Sequence, residues 1–274
     1  MMKFEFVQIF AGLALSAALS VISYRIKALS KSGSLGMVVV GTVVFGLGGV
    51  LFAVPLLFFY VTSTLLTFTR SRAKEQSLKM IDKAGPRDIW QVLANGGIAT
   101  VCALLHFITG DYIWFFLFLA SLCEATSDTW ATEVGTLFAV APVSIVTFRK
   151  VERGQSGGIT ILGTLAAGAG SAVTMLVTLW IAHIDSTVAS YSIRIWIAAA
   201  NCGLAGSLLD SLLGASLQAQ YRCEVCGRLS ERPFHCGRPA NMERGLRWVN
   251  NDVVNFTSSF FAAAALVAIY LLRV

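Results

Sequence analysis

The sequence predicts an all-α membrane protein: a polytopic bundle of about eight transmembrane helices forming one domain over 1–274. Three observations carry this. Of 274 residues, 56% are hydrophobic and only 13% charged, about half the ~25% charged share of a soluble domain. Apolar runs of the ~20 residues needed to cross a bilayer recur along the chain. Lys and Arg collect in four clusters between those runs, the pattern that orients a polytopic protein. This composition excludes a soluble enzyme and a disordered chain. It also excludes a nucleic-acid binder, despite the formal net charge of +6; the excess of positive charge belongs beside anionic headgroups of the lipid bilayer.

The first span runs from Phe4 to Tyr24. Its length favours a retained anchor over a signal peptide, although Lys3 precedes it and small residues lie around Ser16 to Ser20. The run Gly33 to Phe68 is long enough for two helices, with a break expected near Pro55. Ile89 to Ile108 and Tyr112 to Thr126 follow a polar loop. Val134 to Phe148 is too short for a span and contains Pro142, which suggests a re-entrant segment. Ile159 to Ile184, Ile193 to Leu217 and Val253 to Leu272 complete the set.

Orientation follows from the basic residues. Arg25, Lys27 and Lys31 form one cluster; Arg70, Arg72, Lys74, Lys79, Lys83 and Arg87 form a second. Arg149, Lys150 and Arg153 form a third. Six arginines from Arg222 to Arg247 form the last, in a Cys/Arg-rich loop (218–250) inserted before the final helix. With 33–68 counted as two crossings and 134–148 as none, all four clusters fall on one side. That side is expected to be the cytosol, with both termini outside.

Ionisable and amide residues inside spans are costly and mark functional sites by default. Arg87, Gln91 and Asn95 recur at i, i+4, i+8, one face of a helix. Glu124 and Asp128 are i, i+4 on another helix, with Thr129 and Glu133 following. Ser207, Asp210, Ser211, Gly214 and Gln218 form a third stripe, and Asn251, Asn255, Ser258 and Ser259 a fourth. Asn and Ser stripes often only join helices. Four stripes ending at one membrane face, three of them with ionisable groups, point instead to a shared polar site.

Two glycine-rich segments add to it. Ser32-Gly33-Ser34-Leu35-Gly36 and Gly154-Gln155-Ser156-Gly157-Gly158 each follow a basic cluster and lead into a Gly-Thr-x-x-x-Gly sequence, at Gly41 and Gly163 respectively. The repeat inside the span reads as a close-packing surface. The loop ahead of it offers backbone N–H groups at a helix start to an anion. Neither is a Walker A loop. Carboxylates beside such a loop and an Arg suit Mg²⁺ with bound phosphates. A substrate held by so lipidic a protein would itself be a lipid. In the loop 218–250, Cys223, Cys226, Cys236 and His235 resemble a zinc knuckle, although the adjacency of His235 and Cys236 makes joint tetrahedral ligation awkward. Cys102, Cys123 and Cys202 lie inside apolar runs, so no disulfide framework is indicated.

The segments Gln91-Val92-Leu93-Ala94-Asn95-Gly96, Ser127-Asp128-Thr129-Trp130-Ala131-Thr132-Glu133-Val134-Gly135, Gly154 to Gly158 and Gly206-Ser207-Leu208-Leu209-Asp210-Ser211-Leu212-Leu213-Gly214-Ala215 resemble one integral membrane family, domain of unknown function ninety-two. Its plant and cyanobacterial members include the phytyl-phosphate kinase of vitamin E (tocopherol) synthesis. The resemblance runs from about Ser30 to Phe256. Thr132 stands where the family pattern has Ser, and Gln155 where it has Thr. It implies phosphorylation of an isoprenyl monophosphate such as phytyl phosphate to the diphosphate, with CTP as donor.

On this reading Asp128 and Asp210 hold Mg²⁺, with Glu124 and Glu133 as further ligands or as groups supporting the ligands from behind. Arg87 binds a phosphate, and Gly154, Ser156, Gly157 and Gly158 cradle another. Gln91 and Asn95 orient the acceptor, and Ser207, Ser211, Gln218, Asn251 and Asn255 complete the site. A nucleotidyl transferase making a CDP-lipid would use similar carboxylates. A transporter would need polar residues reaching the midplane and both faces, whereas here they crowd one.

Overall fold

Several helices begin where a side chain can accept from an otherwise unpaired amide. Ser30 accepts from Gly33 N, Asp88 and Gln91 form a reciprocal capping box, and Thr160 and Asn250 accept from Gly163 N and Val253 N; such caps contribute about 1 kcal/mol each. The computed structural model describes residues 2–78 and 85–272, so Lys79 and Lys83 of the second basic cluster lie outside the described residues. In chain order the helices are α1 (Met2–Arg25), α2 (Lys31–Phe68), α3 (Arg72–Leu78), α4 (Ile89–Thr109), α5 (Ile113–Leu137), α6 (Ile161–Ile181), α7 (Ser186–Ala189), α8 (Ile193–Ser216) and α9 (Asn251–Leu271). Short strands β1 (Val143–Ser144) and β2 (Gly158–Ile159) pair between α5 and α6. Between α8 and α9 lie β3 (Gln220–Arg222), β4 (Leu229–Ser230), β5 (Phe234–His235), β6 (Arg238–Pro239) and β7 (Asn241–Arg244), paired in the orders β4-β3-β7 and β5-β6.

Six described helices are long and apolar enough to cross a membrane: α1, α2, α4, α6 with the turn after it, α8 and α9. The count falls short of the expected number of about eight for two reasons. First, Lys31–Phe68 is counted once: its 38 residues, roughly 57 Å if straight and nearly twice the ~30 Å hydrocarbon thickness, form two helical arms, as expected. Its interruption is at Gly49 (φ 68°, ψ −163°), not near Pro55, because only glycine takes that backbone conformation without strain. The two arms fold back on each other: the Ser23 hydroxyl sits 3.7 Å from Met37 Sδ on one arm and accepts from Tyr60 Oη, 2.5 Å away, on the other. Pro55 lies close to the start of the second arm.

Second, α5 is the axis of the bundle rather than a lipid-facing span. Every residue from Phe115 to Ser127 is buried, and α5 packs against α2, α4, α6, α8 and α9. A helix enclosed on all sides can carry acids that a lipid-facing helix could not. The expected re-entrant segment at 134–148 is also absent. Residues 134–137 finish α5, and 143–144 pair antiparallel with 158–159 at the protein surface.

Close helix contact depends on small residues. A Cβ on Gly203 of α8 would lie 2.3 Å from Cys123 Cβ on α5. The two Gly-Thr-x-x-x-Gly sequences are not equivalent in packing. Gly41 and Gly46 press on Ser16 and Ile9 of α1 and Gly163 on Ala131 O, whereas Gly168 has open space beside it. Gly203→Ala is therefore expected to cost about 1–3 kcal/mol by overpacking, read as a lower Tm in detergent. Gly168→Ala should leave Tm unchanged.

Candidate active site

A cavity of about 320 Å³ opens at the end of the bundle where the basic loops meet, with Lys27, Arg87 and Arg153 on its wall. Asp128 and Asp210 line it from α5 and α8. Gln91 and Asn95 come from α4, Ser207, Ser211 and Gln218 from α8 and the turn after it, and Asn251 and Asn255 from α9. Gly154, Ser156, Gly157 and Gly158 form part of its rim. All the residues expected to bind substrate or phosphate thus share one cavity; their i, i+4 spacing put each stripe on one helix face.

Asp128 and Asp210 are close enough for their carboxyl groups to interact electrostatically. With its amide nitrogen turned towards acceptors, Asn255 donates to Asp210 Oδ2 and to Asn251 O, both at 3.0 Å. Glu124 does not line the cavity. It lies one turn deeper on α5, where Ser259 Oγ donates to its Oε2, and among the described residues its Oε1 has no partner. The space it fills exists because residue 206 is glycine, whose Cβ would sit 2.6 Å from Glu124 Cγ. Three carboxyl groups therefore gather within the bundle. Their oxygen-only donor set and the orphaned Glu124 oxygen fit a hard divalent cation such as Mg²⁺. Asp128 and Asp210 would hold it, with Glu124 behind them.

Glu133, expected as a further metal ligand, lines the same cavity, but its carboxylate is already paired. Lys74 Nζ pairs with its Oε2 at 2.5 Å, and Thr67 Oγ1 donates to its Oε1 at 2.6 Å. Lys74 is only 2% exposed and also donates to the carbonyls of Leu66, Thr67 and Thr69 at 2.7–3.0 Å. It is a buried structural cation rather than a loose orientation charge.

Arg87 is tied down through its backbone. Its N–H donates to Ala28 O and its carbonyl accepts from Ser30 N, both at 3.0 Å. The first glycine-rich segment serves this contact: a Cβ on Gly33 would lie 2.0 Å from Arg87 O. Ser32 to Gly36 is thus a packing segment, and the reading of it as an anion cradle is corrected. The Arg87 side chain reaches Thr67 Oγ1 at 3.3 Å. Burial lowers its pKa, opposed by Glu133 and Tyr60, and an arginine so placed stays cationic at neutral pH.

The second loop differs. Gly154 and Gly157 adopt φ of 81° and 77°, and a Cβ on Gly157 would lie 2.3 Å from Ala215 Cβ. Among the described residues, the amides of Gly154, Ser156 and Gly157 donate to no backbone carbonyl. They are available to an anion.

One participant was missed. Glu231, in the Cys/Arg-rich loop, lines the cavity and accepts through Oε1 from Ser156 Oγ at 2.7 Å and Gln218 Nε2 at 2.8 Å. Its sequence signal is slight: one of three acids among the arginines of that loop. In the same loop Cys223, Cys226, His235 and Cys236 lie together. A second, apolar cavity of about 80 Å³ lies between α1, both arms of α2 and α4, and it shares Tyr60, Arg87, Gln91 and Asn95 with the polar one.

Fold and site together define a multi-pass integral membrane protein with a polar cavity at one end of its bundle. The family described as integral membrane protein DUF92 matches residues 14–263. The chain belongs to this family. Protein PGR of Arabidopsis thaliana is 31% identical over 298 residues, covering 97% of this chain and 98% of that protein. An uncharacterized membrane protein of Methanocaldococcus jannaschii is 30% identical over 210 residues, covering 76% and 83%. The chloroplastic protein VTE6 of Arabidopsis thaliana is 26% identical over 238 residues, covering 83% of this chain and 61% of that protein. No solved structure matches the chain.

Breaking the buried ion pair leaves an uncompensated charge, so Lys74→Met should cost about 3–5 kcal/mol. The double change Lys74→Met, Glu133→Gln should recover part of the lost Tm. No recovery would mean that Lys74 acts through its carbonyl contacts alone.

Proposed function

We propose that the protein transfers the γ-phosphoryl group of a nucleoside triphosphate, CTP on the family resemblance, to an isoprenyl monophosphate such as phytyl phosphate. The observation that carries the reading is the pair of cavities of opposite polarity joined at Tyr60, Arg87, Gln91 and Asn95. An amphiphile with an anionic head matches that junction, with its phosphate beside Arg87, the first carbons of its chain in the apolar cavity between α2 and α4, and the rest of the chain open to the bilayer. The resemblance to a family that includes a phytyl-phosphate kinase supports the same reading, as does the distant similarity to VTE6. The basic loops around the opening support a cytosolic orientation by charge asymmetry, the side where nucleotides are available.

The residues divide the work. Arg87 holds the acceptor phosphate, with Gln91 and Asn95 donating or accepting around it. The amides of Gly154, Ser156 and Gly157 take phosphate oxygens of the donor, whereas those of Gln155 and Gly158 donate to Glu152 O and Gln155 O. Asp128 and Asp210 would hold Mg²⁺, with Asn255 donating to the Asp210 carboxylate and to Asn251 O. When bound, Mg²⁺ supplies charge neutralisation to the phosphates. An acceptor oxygen forms a bond to the γ-phosphorus as the bond from that phosphorus to the β–γ bridging oxygen breaks, and the nucleoside diphosphate leaves. The acceptor phosphate is already anionic near neutral pH, its second pKa being about 6, so no strong base is required and positioning carries the rate. A transporter would need a polar path to both faces, and the described cavity opens at one.

Detergent-purified protein, Mg²⁺, γ-labelled nucleotides and phytyl or geranylgeranyl monophosphate test this. Label should enter the lipid diphosphate, and Asp128→Asn and Asp210→Asn should each lower the rate by about 10²–10³-fold. Release of pyrophosphate would instead indicate nucleotidyl transfer, and no turnover from folded protein would sink the reading. Gly96→Leu, which fills the apolar cavity beside Val40, should raise KM at least tenfold for dimethylallyl and geranylgeranyl phosphate alike, since both place their first isoprene unit there. That is a loss of about 1.4 kcal/mol of chain binding.

A further inference from the structure

The loop between α8 and α9 carries a cluster that the proposed reaction does not use. Cys223, Cys226, His235 and Cys236 each bring one ligand atom to within 4.8 Å of the others. The first two sit on the turn joining β3 to β4, where Gly227 N donates to Cys223 O at 2.8 Å and Cys223 N to Arg228 O at 3.0 Å. The other two belong to the β5–β6 hairpin. Neighbours on a strand point to opposite faces, which is the objection to joint ligation by His235 and Cys236. The backbone removes it: Cys236 adopts φ 51°, costly for a residue other than glycine, and this brings its Sγ to 3.2 Å from His235 Nδ1. Cys226 Sγ lies 3.5 Å from the same nitrogen.

We propose that these four residues bind one Zn²⁺ per chain, and that this metal sets the position of Glu231 against Ser156 and Gln218. Three thiolates and an imidazole match tetrahedral structural zinc. The five strands here have only two to four residues each, too few to build a core that would hold them without a metal. The ligands also bracket the acid. Cys226 precedes Glu231 and His235 follows it, so the metal closes the intervening segment into a short ring. That ring delivers the Glu231 carboxylate to the cavity rim, where Ser156 Oγ and Gln218 Nε2 donate to it. This zinc site stands whether or not the reaction is phosphoryl transfer.

Elemental mass spectrometry on desalted, detergent-purified protein from zinc-replete cells tests the site. About one zinc per chain is expected, lost in Cys223→Ser and Cys236→Ser and retained in Glu231→Gln. The positional claim is read on wild-type protein, so it does not depend on a variant folding. Removing zinc with a chelator should speed tryptic cleavage after Arg228 at least tenfold, and restoring zinc should reverse it. Less than about 0.1 zinc per chain in folded wild type, iron or copper in its place, or a disulfide between Cys226 and Cys236 would overturn the site. Tryptic cleavage unchanged by chelation would overturn the role in holding Glu231.

Discussion

Acidic side chains carried by a single central helix, one buried and two lining the cavity, are the constraint on which the rest of the structure depends. A charged group inside a bilayer costs at least ~2.5–3.5 kcal/mol on insertion scales, and α5 carries three acids on successive turns. Each is accommodated differently. Glu133 is neutralised by Lys74, Glu124 is buried against Ser259, and Asp128 meets Asp210 across the α5–α8 contact. Enclosing α5 on every side answers the remaining cost, and the enclosure works because Gly203 and Gly206 let α8 approach within a side chain's thickness. The acids thus dictate which helices must surround α5 and which of their residues must be small.

The same constraint separates two environments. Above Arg87 and Gln91 the walls are amide, hydroxyl and carboxylate; on the α2–α4 side they are Met37, Val40, Phe59 and Val92. The α2 hairpin creates the second environment, since its reversal at Gly49 brings Met37 and Tyr60 to the same Ser23. A ligand that satisfies both must be apolar at one end and anionic at the other. In that view the glycine-rich loop, Arg87 and the carboxylates are the parts of a phosphate site and the hairpin is its lipid slot.

Much of the cavity was legible in the sequence because helical periodicity is local. Gln91 and Asn95, or Ser207, Asp210 and Ser211, face one way whatever the tertiary arrangement. What the sequence left unread depends on contacts between distant segments. Lys74 looked like one more loop cation, and only its approach to Glu133 makes it structural. The two glycine-rich segments are alike in composition, yet one packs on Arg87 and the other keeps amides open, a difference set by their neighbours. Pro55 is the stronger helix breaker by propensity, but the reversal falls at Gly49, which alone of the two can take a positive φ. Glu231 reaches the site through a folded loop whose path has no periodic signal.

The central claim is that one amphiphile occupies both cavities at once. Photo-crosslinking with an isoprenyl monophosphate carrying a diazirine on its first isoprene unit tests it most directly. The account predicts crosslinks to residues lining the apolar cavity, among them Val40, Leu56, Phe59 and Val92, lost in competition with unlabelled isoprenyl phosphate and weakened in Arg87→Ala. Crosslinks spread over the outer surfaces of α6 and α8, insensitive to both, would contradict it.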